Sequence, residues 1–256
     1  MNSADQTKSR IYLTVLTGFL GAGKTTILNR YLESPFGEGT AVLVNEFGDV
    51  DVDSAIIGAA SEGGKMMSLP NGCVCCEMQD DLSSTLIELA ERHNSEGDIS
   101  RCIIETSGLA VPSSILRTIG RNPSLKAEFE VAQTICVASA PAIIDQANKY
   151  IEAAEQIAIS DKIAISKLDL IADDMFEHIK VMLRERNPMA EIMVTGIDAS
   201  VDELFMPSQN LCHPIEQMIV VDDHVCSHPI CGRKNLWNSE TRHRFGGHAS
   251  HQPQIS

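Results

Sequence analysis

Residues 18–25 read Gly18-Phe19-Leu20-Gly21-Ala22-Gly23-Lys24-Thr25, with Thr26 directly behind them. The stretch fits G-x-x-x-x-G-K-[ST], a phosphate-binding loop set between a strand and a helix. Its glycines let the backbone curl close to phosphate oxygens, so that successive N–H groups around Ala22 point inward as an anion nest. Lys24 brings a point charge for the β- and γ-phosphates, and Thr25 offers a hydroxyl to a magnesium ion. A helix starting at Lys24 adds its positive end to the same spot. Both flanks suit the motif. Ile11–Thr17 (IYLTVLT) is an apolar, β-branched run, and TTILNRYLE behind the loop has helical character.

Working outward, short buried strands are expected at residues 41–44, 65–69, 102–104, 133–138, 162–165 and 192–194. Helical spacing recurs at 82–92, 113–119, 150–157 and 174–185, the third with Ile151, Ala154, Ile157 and Ala158 on one face. Such alternation predicts an α/β fold, a mostly parallel central sheet with helices on both faces. Functional loops then lie at the carboxyl ends of the strands. The phosphate loop, PNGCVCC, ETSGLAVP and SKLD each follow a strand directly.

Each of these loops carries chemistry. In SKLD (166–169), Asp169 is placed to accept hydrogen bonds from the N1–H and 2-amino group of guanine, with the Lys167 stem along the base. Adenine would leave that carboxylate unpaired. Ser166 stands where guanine sites usually carry Asn, and its shorter side chain reaches fewer base contacts. Glu105, at the end of CIIE, can hold a magnesium-bound water, and Gly108 can offer its N–H to a γ-phosphate. Cys73, Cys75 and Cys76 form C-x-C-C, which suits zinc, cobalt, nickel or Cu(I); Glu46 is a candidate fourth ligand. The plainer alternative is a packed, inert cysteine loop.

A net charge of −15 argues against a nucleic-acid or anionic-membrane surface. The first ten residues, MNSADQTKSR, lack the apolar core of a signal peptide, and the longest apolar stretch, 131–144, is too short to span a bilayer. A cytoplasmic location is therefore expected, where eight cysteines are more often thiols or metal ligands than disulfides. From Val201 the composition shifts toward Cys and His, so residues 1–200 are read as the nucleotide domain and 201–256 as a short tail, with a strand expected only at 217–221. Within the tail, His224, Cys226, His228 and Cys231 have a spacing that can bind zinc, or are scattered on a solvated remnant. His93 and His178 fall on helices and read as surface residues.

Taken together, GFLGAGKTT, VNEFGDVDVD, NGCVCC, ETSGLAVP, EQIAISDKIAISKLDL and RERNPMAEI resemble the CobW-type branch of the CobW/HypB/UreG GTPases, over about residues 11–200. The resemblance implies a SIMIBI-like P-loop GTPase that loads or delivers metal. By position it implies GTP phosphates on Gly21 to Thr26, guanine on Lys167 and Asp169, and metal on Cys73, Cys75 and Cys76. The implied cofactors are GTP, Mg2+ and Zn2+, or Co2+ or Ni2+ in its place; the implied partner is an apo-form client metalloprotein, with a homodimer left open. Three departures stand out. Ser166 replaces Asn, VASA (137–140) replaces an acidic V-D-A, and too little chain follows residue 200 for the second domain that most relatives carry. A rival expectation is a metal buffer or sensor with a vestigial nucleotide site. An ATP-dependent kinase or transferase is a third, disfavoured by Asp169.

Overall fold

The computed structural model describes residues 10–45, 66–68, 77–97, 99–196 and 201–207. Among them, seven strands alternate with helices: β1 (Ile11–Thr17), α1 (Lys24–Leu32), β2 (Thr40–Asn45), β3 (Met66–Ser68), α2 (Glu77–Glu96), β4 (Arg101–Thr106), α3 (Pro112–Arg121) and α4 (Pro123–Glu128). β5 (Phe129–Ser139), α5 (Ile143–Lys149), α6 (Ile151–Ile159), β6 (Lys162–Ser166), α7 (Asp173–Arg186), β7 (Glu191–Thr195) and α8 (Asp202–Phe205) complete the order. The strands form one sheet in the order β3-β2-β4-β1-β5-β6-β7, and every neighbouring pair is parallel. The expected α/β architecture is thus observed, with a sheet that is parallel throughout.

The strand order explains where the chemistry collects. The chain begins at the centre with β1, fills one side with β2 to β4, then crosses to β5 and fills the other. Ligands bind open α/β sheets at such a reversal, beyond the carboxyl ends of the strands. β1 runs straight into the glycine-rich loop at that point.

Apolar side chains on both faces of the sheet account for the continuous β-branched runs. On one face, Leu16, Val42, Ile103, Ile135 and Val137 pack with Ile27, Leu28 and Tyr31 of α1. On the other, Cys136, Ala138, Ile163 and Ile165 pack with Ile143 of α5, Ile157 of α6, and Ile179 and Leu183 of α7. Val201, Leu204 and Phe205 join the first cluster, although the composition shift begins at Val201. Phe205 stacks on Tyr31 with ring centroids 4.2 Å apart. The buried Lys162 ammonium donates to the carbonyls of Glu203 (2.8 Å), Leu204 (3.2 Å) and Met206 (2.7 Å), capping α8. Gln133 Nε2 adds a bond to Leu204 O at 3.3 Å.

The apolar stretch 131–144 divides into the end of β5, a turn closed by Ala142 N–H to Ser139 O at 3.0 Å, and the start of α5. One local expectation is corrected. The buried face of α6 is rotated from the apolar stripe: Ala153, Gln156 and Ile157 are buried, whereas Ile151 is exposed. Burial of a glutamine in place of an isoleucine requires specific partners for its amide, and these lie in the loop after β4. His178 is exposed as expected; His93 is half-buried. No helix among the described residues is long and apolar enough to cross a membrane.

Candidate functional site

The loop 18–23 leaves β1 and turns into α1. Gly18 has φ 141°, and a Cβ there would lie 2.2 Å from Val137 O on β5. Only glycine allows so close an approach to the neighbouring strand. Lys24 Nζ donates to Gly18 O at 2.9 Å, bridging the two ends of the loop. Beneath it lies the buried Cys136; burial pushes this thiol up to about 12, against the pull of the Lys24 charge.

β4 delivers Glu105 to the same rim. The register sets it level with Leu16 on β1 and Val44 on β2. Thr25 Oγ1 donates to Glu105 Oε1 at 2.6 Å, although 80 positions separate the two residues in sequence. The next pair along, Thr106 and Thr17, bonds hydroxyl to hydroxyl at 3.0 Å in the interior. A hydroxyl and a buried carboxylate sharing one corner provide hard oxygen donors suited to magnesium. The loop after β4 turns at once: Ala110 N–H donates to Ser107 O at 3.1 Å. Gly108 presses on the phosphate loop so closely that a Cβ would meet Leu20 N at 2.6 Å.

SKLD is stapled to the phosphate loop at two points. Ser166 Oγ donates to Ala22 O at 2.7 Å, and Lys167 Nζ donates to Gly21 O at 2.7 Å. Lys167 is the one non-glycine residue with positive φ (59°) among the described residues. Strain of this kind concentrates at functional sites. It turns the chain so that a short 3-10 turn, Leu168–Leu170, holds Asp169 out toward solvent. Ser166 itself is buried, and its hydroxyl is engaged with the loop. The VASA segment places Ser139 opposite Ser166, and Ala140 N–H donates to Ser166 O at 2.9 Å.

Gly18, Gly21, Ala22, Gly23, Lys24, Thr25, Thr26, Glu105, Gly108, Ser166, Lys167 and Asp169 therefore all lie at the carboxyl edge of one sheet, on strand ends, the loops that follow them and the first turn of α1. The reading of sequence missed Gln156, whose amide reaches this rim from below. The signal for it was faint, because Gln156 is one of three polar residues in α6, with Glu152 and Glu155. Glu46, Cys73, Cys75, Cys76 and the tail residues His224, Cys226, His228 and Cys231 lie outside the described residues, as does the strand expected at 217–221. Among the described residues no group of three His, Cys, Asp or Glu side chains could hold a metal ion.

The family model for the nucleotide-binding domain of CobW/HypB/UreG matches residues 12–194. The chain belongs to the CobW/HypB/UreG family. Within it, the similarity is to the CobW-type branch. The zinc chaperone CobW of Pseudomonas aeruginosa is 30% identical over 231 residues, covering 79% of this chain and 60% of that protein. The zinc chaperone YjiA of Escherichia coli is 34% identical over 191 residues, covering 73% and 59%. The crystal structure of zinc-bound YjiA GTPase from E. coli superposes with a TM-score of 0.57 at 28% identity, covering 75% of this chain and 59% of that one. The chain thus spans about 60% of the length of these curated relatives.

Proposed function

We propose that this chain is a GTP-binding and GTP-hydrolysing metallochaperone, coupling its nucleotide state to transfer of a soft divalent metal to a client protein. Zinc is the favoured metal, with cobalt or nickel as alternatives. The observation that carries the GTPase part is the contact of Thr25 with Glu105 at 2.6 Å beside a phosphate loop stapled to SKLD. Thr25 and Glu105 would hold magnesium, which when bound offsets the charge of the β- and γ-phosphates. Lys24 would bind the same phosphates, the Gly108 turn would meet the γ-phosphate, and Asp169 would accept the guanine edge.

The names of the CobW and YjiA relatives support the zinc part. So does the course of β3, which ends at Ser68 on the carboxyl edge, with eight residues, the cysteine cluster among them, between it and the start of α2 at Glu77. Cys73, Cys75 and Cys76, with Glu46 as a further ligand, would take the metal as cargo. His224, Cys226, His228 and Cys231 would supply a second set. Phosphate contacts that hold the loops around Glu46 and Glu105 would then alter the thiolate geometry.

The test is GTP affinity measured with and without zinc, alongside turnover and competition by ATP. Linkage requires metal and nucleotide to change each other's affinity by one factor. Equal affinities would refute the coupling. Zinc binding with no GTP turnover under either condition would make the protein a metal buffer. Asp169→Ala should abolish the preference for GTP over ATP; retained preference would place the base pocket elsewhere.

A further inference from the structure

Gln156 on α6 is fully buried and donates from one amide to two carbonyls of the turn after β4. Its Nε2 lies 3.1 Å from Gly108 O and 2.9 Å from Ala110 O. The residue beside it repeats the connection: Ser113 Oγ donates to Glu155 Oε1 at 2.9 Å, so α6 grips both ends of the segment 108–113. Gln156 Oε1 is buried with no hydrogen-bond partner among the described residues. An aliphatic side chain would fill the same space without that burden, so packing alone does not account for glutamine here.

Peptide planarity makes the consequence directional. A trans peptide points its C=O and N–H in opposite senses. The Ser107 carbonyl faces inward to Ala110 N–H, which turns the Gly108 N–H out of the loop. The Gly108 carbonyl faces inward to Gln156, which turns the Leu109 N–H out as well. The turn is thereby held with two backbone donors presented together, while Gly108 abuts the phosphate loop at Leu20. Two adjacent outward N–H groups beside a phosphate loop suit a phosphoryl oxygen.

We propose that Gln156 is the positioning residue that presets the Gly108 turn for the γ-phosphate, and so sets the preference for GTP over GDP. This deepens the GTPase reading and rests on it. Gln156 touches no nucleotide; it acts through the two carbonyls. GDP lacks the γ-phosphoryl group that the turn would meet, so its binding is indifferent to the clamp.

The experiment uses the full chain with magnesium and measures Kd for GDP and for a non-hydrolysable GTP analogue, with thermal unfolding alongside. Gln156→Met keeps volume and removes both donors. The expected result is a GDP Kd within about twofold of wild type and an analogue Kd weakened about tenfold, the scale of one hydrogen bond. A parallel loss for both nucleotides, or no change in their ratio, overturns the role. Ser113→Ala opens the neighbouring contact and should leave the ratio unchanged; an equal shift there assigns the effect to helix packing and also overturns it. Should Gln156→Met fail to fold, Gln156→Asn draws the amide back by one methylene and is read by the same ratio. Wild type that binds neither nucleotide refutes the GTPase reading itself, and with it this role.

Discussion

Removing one hydroxyl, by Ser166→Ala, separates two accounts of the SKLD loop. If position 166 serves the base, losing its polar atom changes the choice of base. The geometry argues otherwise: Ser166 Oγ is 2.7 Å from Ala22 O and 3.4 Å from Ala138 O, inside the protein. A neutral hydrogen bond of this kind contributes about 1 kcal/mol net, so its loss loosens the phosphate loop by about fivefold in an equilibrium constant. Ala22 belongs to the loop that would bind the phosphates shared by GDP and GTP. The penalty should therefore fall equally on both, at about fivefold each, and leave base choice alone. Calorimetric titration with GDP, a GTP analogue and inosine diphosphate tests this, because inosine lacks the 2-amino group that Asp169 would read. The expected GDP-to-inosine-diphosphate ratio is that of wild type. A ratio shifted by about threefold or more would refute the tether and restore a base contact for position 166, and an unchanged GDP affinity would refute the tether by itself.

Three further predictions concern other parts of the molecule. Glu105→Gln removes the carboxylate that faces Thr25; magnesium-dependent GTP hydrolysis should fall about 100-fold, and a loss under about threefold would exclude Glu105 from the metal corner. Lys162→Met removes the donor shared by three carbonyls at the end of α8, of which Leu204 O keeps Gln133; unfolding in denaturant should show about 2 kcal/mol lost, and a change below about 0.5 kcal/mol would mean that α8 docks through its apolar side chains and Gln133. Burial pushes the Cys102 and Cys136 thiols from 9.0 up to about 12. Between these values the unfolded chain releases protons that the folded chain keeps, so stability present below pH 9 is lost as pH rises, at about 1.4 kcal/mol per thiol per pH unit. Comparing unfolding at pH 8 and pH 10, the Cys102→Ala/Cys136→Ala variant should lose about 3 kcal/mol less than wild type; equal losses would show that both thiols ionise freely in the fold.

Much of the scaffold was legible because its signals are local. A β-branched run such as Ile11–Thr17 marks a strand buried on both faces, and helical spacing in 174–185 marks α7, without reference to anything distant. Gly18 to Thr25 was legible for a similar reason: backbone curl, charge and hydroxyl must follow one another within a single turn. What spacing could not supply was the orientation of α6. The stripe Ile151, Ala154, Ile157 and Ala158 is sound periodicity, yet the helix turns Gln156 inward because two loop carbonyls wait there, 46 and 48 positions earlier in the chain.

Sequence alone therefore determined the order of the strands and the larger helices, though not α4, α5 or α8, together with the phosphate loop and the residue types at each strand end. Tertiary structure decided which of those residues meet: Thr25 with Glu105, Ser166 with Ala22 across 144 positions, Lys167 with Gly21. It also decided that Val201, Leu204 and Phe205 belong to the core. The reason is that periodicity reports the environment of a residue averaged over one face, whereas a hydrogen bond needs a particular partner within about 3 Å, and only the closing of a parallel sheet brings such partners from far along the chain.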